Sequence, residues 1–174
     1  SLILSWPIFI GFVWGDEQAR VIELFRFIDV AGFTSIWSVR IDTMSAIMLV
    51  VVNTVSFLVH VYSIGYMAED PHRARFFSYL SFFTFSMLAL VTANDFLQLF
   101  FGWEGVGVAS YLLIGFWYHK RSANDAAIKA FITNRIGDFG FALGILAAFF
   151  SYGSIEYGEV FHAAAENPEL MLGI

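Results

Sequence analysis

Phe96-Leu97-Gln98-Leu99-Phe100-Phe101-Gly102-Trp103-Glu104-Gly105-Val106-Gly107-Val108-Ala109-Ser110-Tyr111-Leu112-Leu113-Ile114-Gly115-Phe116-Trp117 decides what kind of molecule this is. Wound as one α-helix, the stretch is about 33 Å long, enough to cross the hydrocarbon core of a bilayer. Glu104 is its single charged residue and lies near its middle. A charge at that depth costs about 2.5–3.5 kcal/mol on insertion scales. Intramembrane acids therefore mark ion pathways by default. The alternative is a structural carboxyl, hydrogen-bonded to a neighbouring helix. Gly102, Gly105 and Gly107 leave space beside the carboxyl for close helix packing or for water.

Composition extends the membrane reading to the whole chain. Of 174 residues, 21 are Phe and only 14 % are charged, where a soluble domain carries about 25 %. Mean hydropathy is +0.71. The apolar residues come in long runs, not in helical or strand alternation. The expected fold is therefore an all-α polytopic membrane protein, with about four complete transmembrane helices, a truncated first one and a short extramembrane β-hairpin. The lipid bilayer is the expected surroundings. A net charge of −6 and the lack of a basic stripe exclude nucleic acid as a partner. With no cysteine, disulfides, Cys-ligated iron–sulfur clusters and Cys-type zinc sites are excluded. No nucleophile–base arrangement is visible, and the glycines around Glu104 do not have the order of a nucleotide loop.

Along the chain, residues 1–15 read as the end of a truncated transmembrane helix. Residues 16–41 read as an extramembrane hairpin, with β-rich segments Val21–Ile28 and Ser35–Ile41 around Ala31-Gly32. Residues 42–152 form a four-helix membrane portion. Residues 153–174 form an acidic loop, with room for a short surface helix, leading to a missing next helix. The whole reads as a fragment of a longer protein. Asp42 is a good N-cap for the first full span, Thr43–Ala68. Phe76–Asn94 is the second and the Glu104 helix, out to Trp117, the third. Ser122-Ala123-Asn124-Asp125 fits a capping box and starts the fourth, Ala126–Tyr152. Alternation places Arg73, Arg75, Lys120 and Arg121 on one side. The hairpin, Asn94-Asp95 and the tail with Glu156, Glu159 and Glu166 fall on the other. The positive-inside rule assigns the first side to the cytoplasm or its organellar equivalent.

The spans hold a few more ionisable groups. Arg135 and Asp138 stand three residues apart on one helical face. They are either a self-neutralising structural pair or a switchable ion pair that tunes a proton site. Lys129 lies a few residues inside its helix, where it either snorkels to the interface or joins a proton path. His60 has one donor and one acceptor when neutral, which suits a proton relay as well as a satisfied core histidine. His72, His119 and His162 have no metal-ligand spacing. Gly140-Phe141-Ala142-Leu143-Gly144 matches the helix-packing GxxxG pattern.

Phe101-Gly102-Trp103-Glu104-Gly105-Val106-Gly107, followed by Ser110-Tyr111-Leu112-Leu113-Ile114-Gly115-Phe116, resembles the largest antiporter-like membrane subunit (chain 5 or L type) of proton-pumping NADH:quinone oxidoreductase, respiratory complex I. Lys129-Ala130-Phe131 and Asn134-Arg135-Ile136-Gly137-Asp138 continue the likeness in register, as do Asp42 and His60-Val61-Tyr62. It runs from about Asp42 to Gly158 and more weakly over the hairpin. The Trp-Glu-Gly-Val-Gly form is closer to this subunit than to its two paralogues. Subunits of Mrp-type sodium/proton antiporters share the glutamate and much of the architecture.

The resemblance implies that Glu104 is the family's embedded glutamate on the fifth helix, and that Arg135 and Asp138 belong to the sixth. The family's central lysine, on a broken seventh helix, lies beyond this chain, as do the inverted repeat and the lateral helix. The function implied is proton translocation by a non-redox subunit, with Glu104, Arg135, Asp138, Lys129 and His60 as the candidate residues. NADH, FMN, iron–sulfur clusters and quinone are then expected in partner subunits and none in this chain. Redox energy would arrive as a conformational or electrostatic signal. The implied partners are other membrane subunits of the complex, paralogues included, in a bacterial plasma membrane or the mitochondrial inner membrane. The alternatives are a sodium/proton secondary antiporter subunit with no enzyme attached, and a portion that serves mainly as scaffold. Glu104 is expected to find its main cationic partner outside the chain. Lys129 is several residues away in depth, Asp138 competes for Arg135, and the family's lysine on the next helix is better placed.

Overall fold

The structure, a computed structural model, describes residues 1–30 and 33–166. In chain order it contains α1 (Leu2–Val13), β1 (Arg20–Val30), β2 (Phe33–Ile41), α2 (Thr43–Tyr66), α3 (Arg73–Val91), α4 (Phe96–Ile114), α5 (Arg121–Tyr152) and α6 (Tyr157–Glu166). Helices α2 to α5 are long and apolar enough to cross a membrane, while α1 is apolar but shorter. Consecutive helices from α1 to α5 pack against one another. The fold is therefore the expected one: mostly helical, four candidate spans, a short apolar helix and one antiparallel hairpin. Ala31, Gly32 and residues 167–174 lie outside the described residues.

Two carboxylates set where spans begin. Asp42 caps α2 in a capping box: its carboxylate accepts from the Ser45 N–H at 2.8 Å, and the Ser45 hydroxyl accepts from the Asp42 N–H at 2.7 Å. Burial pushes the Asp42 carboxyl up, but the Ser45 backbone and hydroxyl donors and Arg40 outweigh it and hold the group below its ordinary value. Asp95 caps α4 by accepting from the Gln98 N–H at 2.6 Å.

Several boundaries differ from the expectation: α2 stops at Tyr66 and not Ala68, α3 at Val91 and not Asn94, and the strands run longer, Arg20–Val30 and Phe33–Ile41. Helix α4 stops at Ile114, short of Trp117. At 19 residues it is about 28 Å long and still a span. Past Gly115 the chain turns, so that the Trp117 indole reaches the Asp70 carboxylate at 3.1 Å. Helix α5 starts at Arg121, and Lys120 stands at its N-cap with no side-chain hydrogen bond. The box at Ser122–Asp125 is not made, because this segment is already helical and Asn124 donates instead to the Tyr118 carbonyl at 2.7 Å. Helix α3 starts at Arg73, so Arg73 and Arg75 sit in its first turn and not in a loop. Asp70 is held below the usual carboxylate value by the His72 N–H and the Trp117 indole.

The hairpin caps one end of the bundle. Its strands pair from Arg20↔Ile41 to Val30↔Phe33, with irregularities at Glu23/Phe25 and Arg26/Ile28. Trp37 packs edge-on against Phe101 of α4, ring centroids 4.9 Å apart. The Gln98 side chain clasps the Ser38 backbone twice, accepting from its N–H at 3.1 Å and donating to its carbonyl at 2.8 Å. Ser35 donates to Asp95 at 2.8 Å and the Arg40 N–H to the Thr92 carbonyl at 2.9 Å. The loop after α5 joins the same face. Phe96 N–H donates to Ile155, Tyr157 N–H to Asn94, and the Asn94 amide to Glu156 at 2.8 Å. There, burial and the nearby Asp95 push the Tyr157 hydroxyl up to about 12. Hairpin, α3–α4 turn and α5–α6 loop thus share one end, and the opposite end carries Arg73, Arg75, Lys120 and Arg121.

Candidate functional site

Glycine sets the spacing that builds the site. A Cβ at Gly102 would lie 2.6 Å from the Leu90 backbone nitrogen, and one at Gly105 would lie 2.5 Å from the Ser86 hydroxyl. These two positions let α4 press against α3 and settle the packing role read for them. Gly140 and Gly144 behave otherwise. A Cβ there meets nothing within 4 Å, so among the described residues the GxxxG pattern has no packing partner.

The other side of α4 faces α5. There Arg135 Nη1 ion-pairs with Glu104 Oε2. The same nitrogen lies 3.5 Å from Asp138 Oδ2. Asp138 Oδ1 accepts from the Trp103 indole N–H at 2.8 Å. The Phe131 ring supports the guanidinium from 4.5 Å. The result is a continuous chain, Glu104–Arg135–Asp138–Trp103, that leaves α4, crosses to α5 and returns to α4. Side-chain exposure falls from 40 % at Arg135 through 22 % at Glu104 to 9 % at Asp138.

This corrects how the competition for Arg135 was expected to fall. Asp138 does not monopolise Arg135, and Glu104 has a cationic partner inside the chain. The physical reason is that a guanidinium presents several N–H donors in a plane, so two acids on adjacent helices engage it together. Sequence reasoning also passed over Trp103. Its signal was there: an indole N–H inside a membrane helix requires an acceptor, and Trp103 precedes the one acid of its span.

Two predicted residues stand apart from this chain. Lys129 is exposed and lies about 9 Å along α5 from Arg135, toward the Arg121 end. Its carbonyl accepts from the Thr133 hydroxyl at 2.8 Å. His60 lies between α2 and α3, on the other side of α3 from Glu104. Its Nδ1 is 2.7 Å from the Ser56 carbonyl, which can only accept, so Nδ1 carries the proton. Nε2 is then left to accept from the Ser81 hydroxyl at 3.5 Å. Ser56 and Thr84 hydroxyls, 2.7 Å apart, extend this second polar chain.

An acid, a guanidinium and a second acid are thus carried in mid-span by adjacent apolar helices, an arrangement in keeping with the antiporter-like resemblance. Residues 93–174 match the family described as NADH:quinone oxidoreductase/Mrp antiporter, TM, and residues 27–77 match NADH-Ubiquinone oxidoreductase (complex I), chain 5 N-terminus. The chain belongs to the family of antiporter-like membrane subunits of NADH:quinone oxidoreductase, of the chain 5 or L type, and is an integral membrane protein. It is 54 % identical to NADH-quinone oxidoreductase subunit L of Rhodobacter capsulatus, over 95 % of this chain and 24 % of that protein. Subunit L of Rickettsia felis is 59 % identical over 86 % of this chain and 23 % of its own length. NADH-ubiquinone oxidoreductase chain 5 of Cryphonectria parasitica is 46 % identical over 99 % of this chain and 26 % of its own. The chain thus spans about a quarter of the length of the curated relatives it matches.

Proposed function

We propose that this chain is part of a proton-translocating, non-redox membrane subunit of NADH:quinone oxidoreductase, in which electron transfer from NADH to quinone in partner subunits drives proton movement through the Glu104–Arg135–Asp138 chain. The observation that carries the reading is the sharing of one guanidinium by two carboxylates within the span. Arg135 has two acceptors on adjacent helices and moves between them over a short distance. With Arg135 on Glu104 the two charges are paired; with Arg135 drawn to Asp138, Glu104 loses its counter-ion. Such an element is biased by any charge or helix shift that favours one partner over the other. The family's lysine on the following helix is the natural source of that bias, and Trp103 holds Asp138 in place to receive the arginine.

Lys129, toward the Arg121 end of α5, and the His60–Ser56–Thr84 chain are the candidate routes by which protons reach the site from that end. NADH, FMN, iron–sulfur clusters and quinone belong to partner subunits in this reading, beside other membrane subunits including the antiporter-like paralogues. Bacterial and mitochondrial relatives support a bacterial plasma membrane or the mitochondrial inner membrane. The positive-inside rule puts the Arg73/Lys120 end in the cytoplasm or matrix. Glu104→Gln keeps size and hydrogen bonding but cannot ionise. In membrane vesicles it should lose proton pumping per NADH oxidised while the complex still assembles. Normal pumping in a normally assembled variant would return Glu104 to a structural role.

A second reading is a sodium/proton antiporter subunit with no enzyme attached. It is favoured by the Mrp antiporters named beside the oxidoreductase in the family matched over residues 93–174. Partner subunits purified with the full-length chain decide: flavin and iron–sulfur subunits support the oxidoreductase, and membrane antiporter subunits alone support the transporter.

A further inference from the structure

We propose that the cavity walled by the start of α3, the end of α4 and the start of α5 binds an anionic phospholipid, with its phosphate on Arg75 and its acyl chains along the exposed stripe of α5. This proposal rests on the membrane-spanning reading and not on the proton path.

The cavity measures about 420 Å³ and its lining includes Arg75, Tyr79, Tyr111, Tyr118, Asn124 and Ile128. Arg75 is the only charged residue in the lining. Its guanidinium is held between aromatic rings, 4.9 Å from the Phe116 centroid and 5.3 Å from that of Tyr118. One N–H, at Nη2, donates to the Phe116 carbonyl at 3.3 Å. Nε is buried and has no partner among the described residues, and no carboxylate lies within salt-bridge distance of Arg75 there. The nearby Asp70 is already engaged by the His72 N–H and the Trp117 indole. A buried guanidinium N–H without an acceptor is a liability that a bound acceptor removes. Phosphate oxygens match the planar donor fork of an arginine, and the tyrosine hydroxyls in the lining are further donors.

The second observation distinguishes a lipid from a free anion. Ile128 lines the cavity and begins an apolar stripe on α5. Ile128, Ile132, Ile136, Phe139 and Leu143 recur every three or four residues and are 49 %, 55 %, 74 %, 69 % and 50 % exposed. A free phosphate has no use for such a track; a molecule with a phosphate head and acyl chains uses both parts. Arg73, Lys120 and Arg121 at the same end favour a head of net negative charge over a zwitterionic one.

The test uses the assembled, purified complex containing the full-length chain. After delipidation in detergent it is exposed to vesicles holding phosphatidylglycerol with a photoactivatable acyl chain, and cross-links are mapped by mass spectrometry. Cross-links should fall on the stripe that starts at Ile128. Arg75→Gln should reduce them roughly tenfold or more, the value of a charged hydrogen bond pair, and Arg75→Lys less. Ile128→Glu, at an exposed position that leaves Arg75 in place, should abolish them, so the proposal stays testable if Arg75→Gln fails to assemble. Unchanged labelling in Arg75→Gln would overturn it, and so would equal labelling by photoactivatable phosphatidylcholine. Loss of labelling to millimolar inorganic phosphate would make this a free-phosphate site. Absence of labelling in the unaltered complex would mean that protein covers the stripe. Either result overturns the lipid assignment.

Discussion

Arg135→Ala removes the cation that Glu104 and Asp138 share, and leaves two carboxylates facing each other across α4 and α5. Breaking a buried ion pair by deleting one partner costs about 3–5 kcal/mol. Arg135 keeps 40 % of its side chain exposed, which puts the expected loss near the lower end, about 3 kcal/mol. Asp138→Ala is milder, because Arg135 retains Glu104. It forfeits the Trp103 hydrogen bond and the 3.5 Å contact with Arg135, about 1.5–3 kcal/mol for a hydrogen bond to a charged group. If the two sites were independent, the double variant would lose the sum, about 5 kcal/mol. With the guanidinium shared, a coupling of about 1–3 kcal/mol is expected, so the double variant should be little worse than Arg135→Ala alone. The assay is the thermal midpoint of the purified complex, read beside the amount assembled and the protons pumped per NADH oxidised. Strict additivity of the two single losses would refute the shared-guanidinium network.

Trp103→Phe keeps an aromatic ring but removes the indole N–H together with the pyrrole part of the ring system, and loss of the hydrogen bond to Asp138 alone should cost about 1.5–3 kcal/mol. Because it frees Asp138 to move, it should also change the pH profile of pumping, which a purely structural loss would leave alone. Gly102→Ala should cost about 1–3 kcal/mol through overpacking against Leu90 and lower the assembled yield. Asp42 has a carboxyl held below its ordinary value of 3.8, so its contribution is present above that value and is lost as pH falls through the depressed one. Hydrogen exchange in the first turn of α2 should accelerate over that acid range, and Asp42→Asn should remove the acceleration.

What the sequence made legible follows from what membranes demand of a chain. In lipid every backbone group must be satisfied within the segment, so uncharged runs announce helices, and Asp42 and Asp95 announce where two of them start. Boundaries set by tertiary contacts were less legible. Helix α4 ends early because Trp117 turns toward Asp70, and the sequence of residues 115–117 is as apolar as the helix before it. The Ser122–Asp125 box failed for a related reason: α5 had already begun, and Asn124 was engaged by Tyr118. Glu104, Arg135 and Asp138 were visible as charges out of place. The Arg135–Asp138 contact was legible from its spacing of three residues; the Glu104–Arg135 pairing was not, because depth along a helix says nothing about rotation around it. The GxxxG pattern is silent for the same reason: it marks a face that permits close approach and does not name the neighbour.

The two ends of the bundle are built differently, and this bears on how a signal reaches Glu104. At the hairpin end, Gln98 grips Ser38, Asp95 holds Ser35 and Gln98, and the α5–α6 loop is hydrogen-bonded to the α3–α4 turn. The start of α4 and the end of α5 are therefore fixed to a common platform. Glu104 is about 13 Å along α4 from that platform, at 1.5 Å per residue from Asp95. At the other end, α4 finishes in a turn tied to its surroundings by side-chain hydrogen bonds from Trp117 to Asp70, from Arg75 to the Phe116 carbonyl and from Asn124 to the Tyr118 carbonyl, by Arg75 over the Phe116 ring and by edge-on aromatic contacts of Phe116. Between the ends, Gly137 and Gly140 on α5 meet no neighbour within 4 Å. The side of α5 that bears Arg135 is thus packed on α4, and the side bearing these glycines is open to an incoming helix. A charge or helix arriving on that open side meets α5 across the helix from Arg135, displaces no packed contact of α4, and acts on the arginine by shifting α5. In the proposed mechanism the hairpin platform holds the acids in register, and the arginine is the part left free to respond.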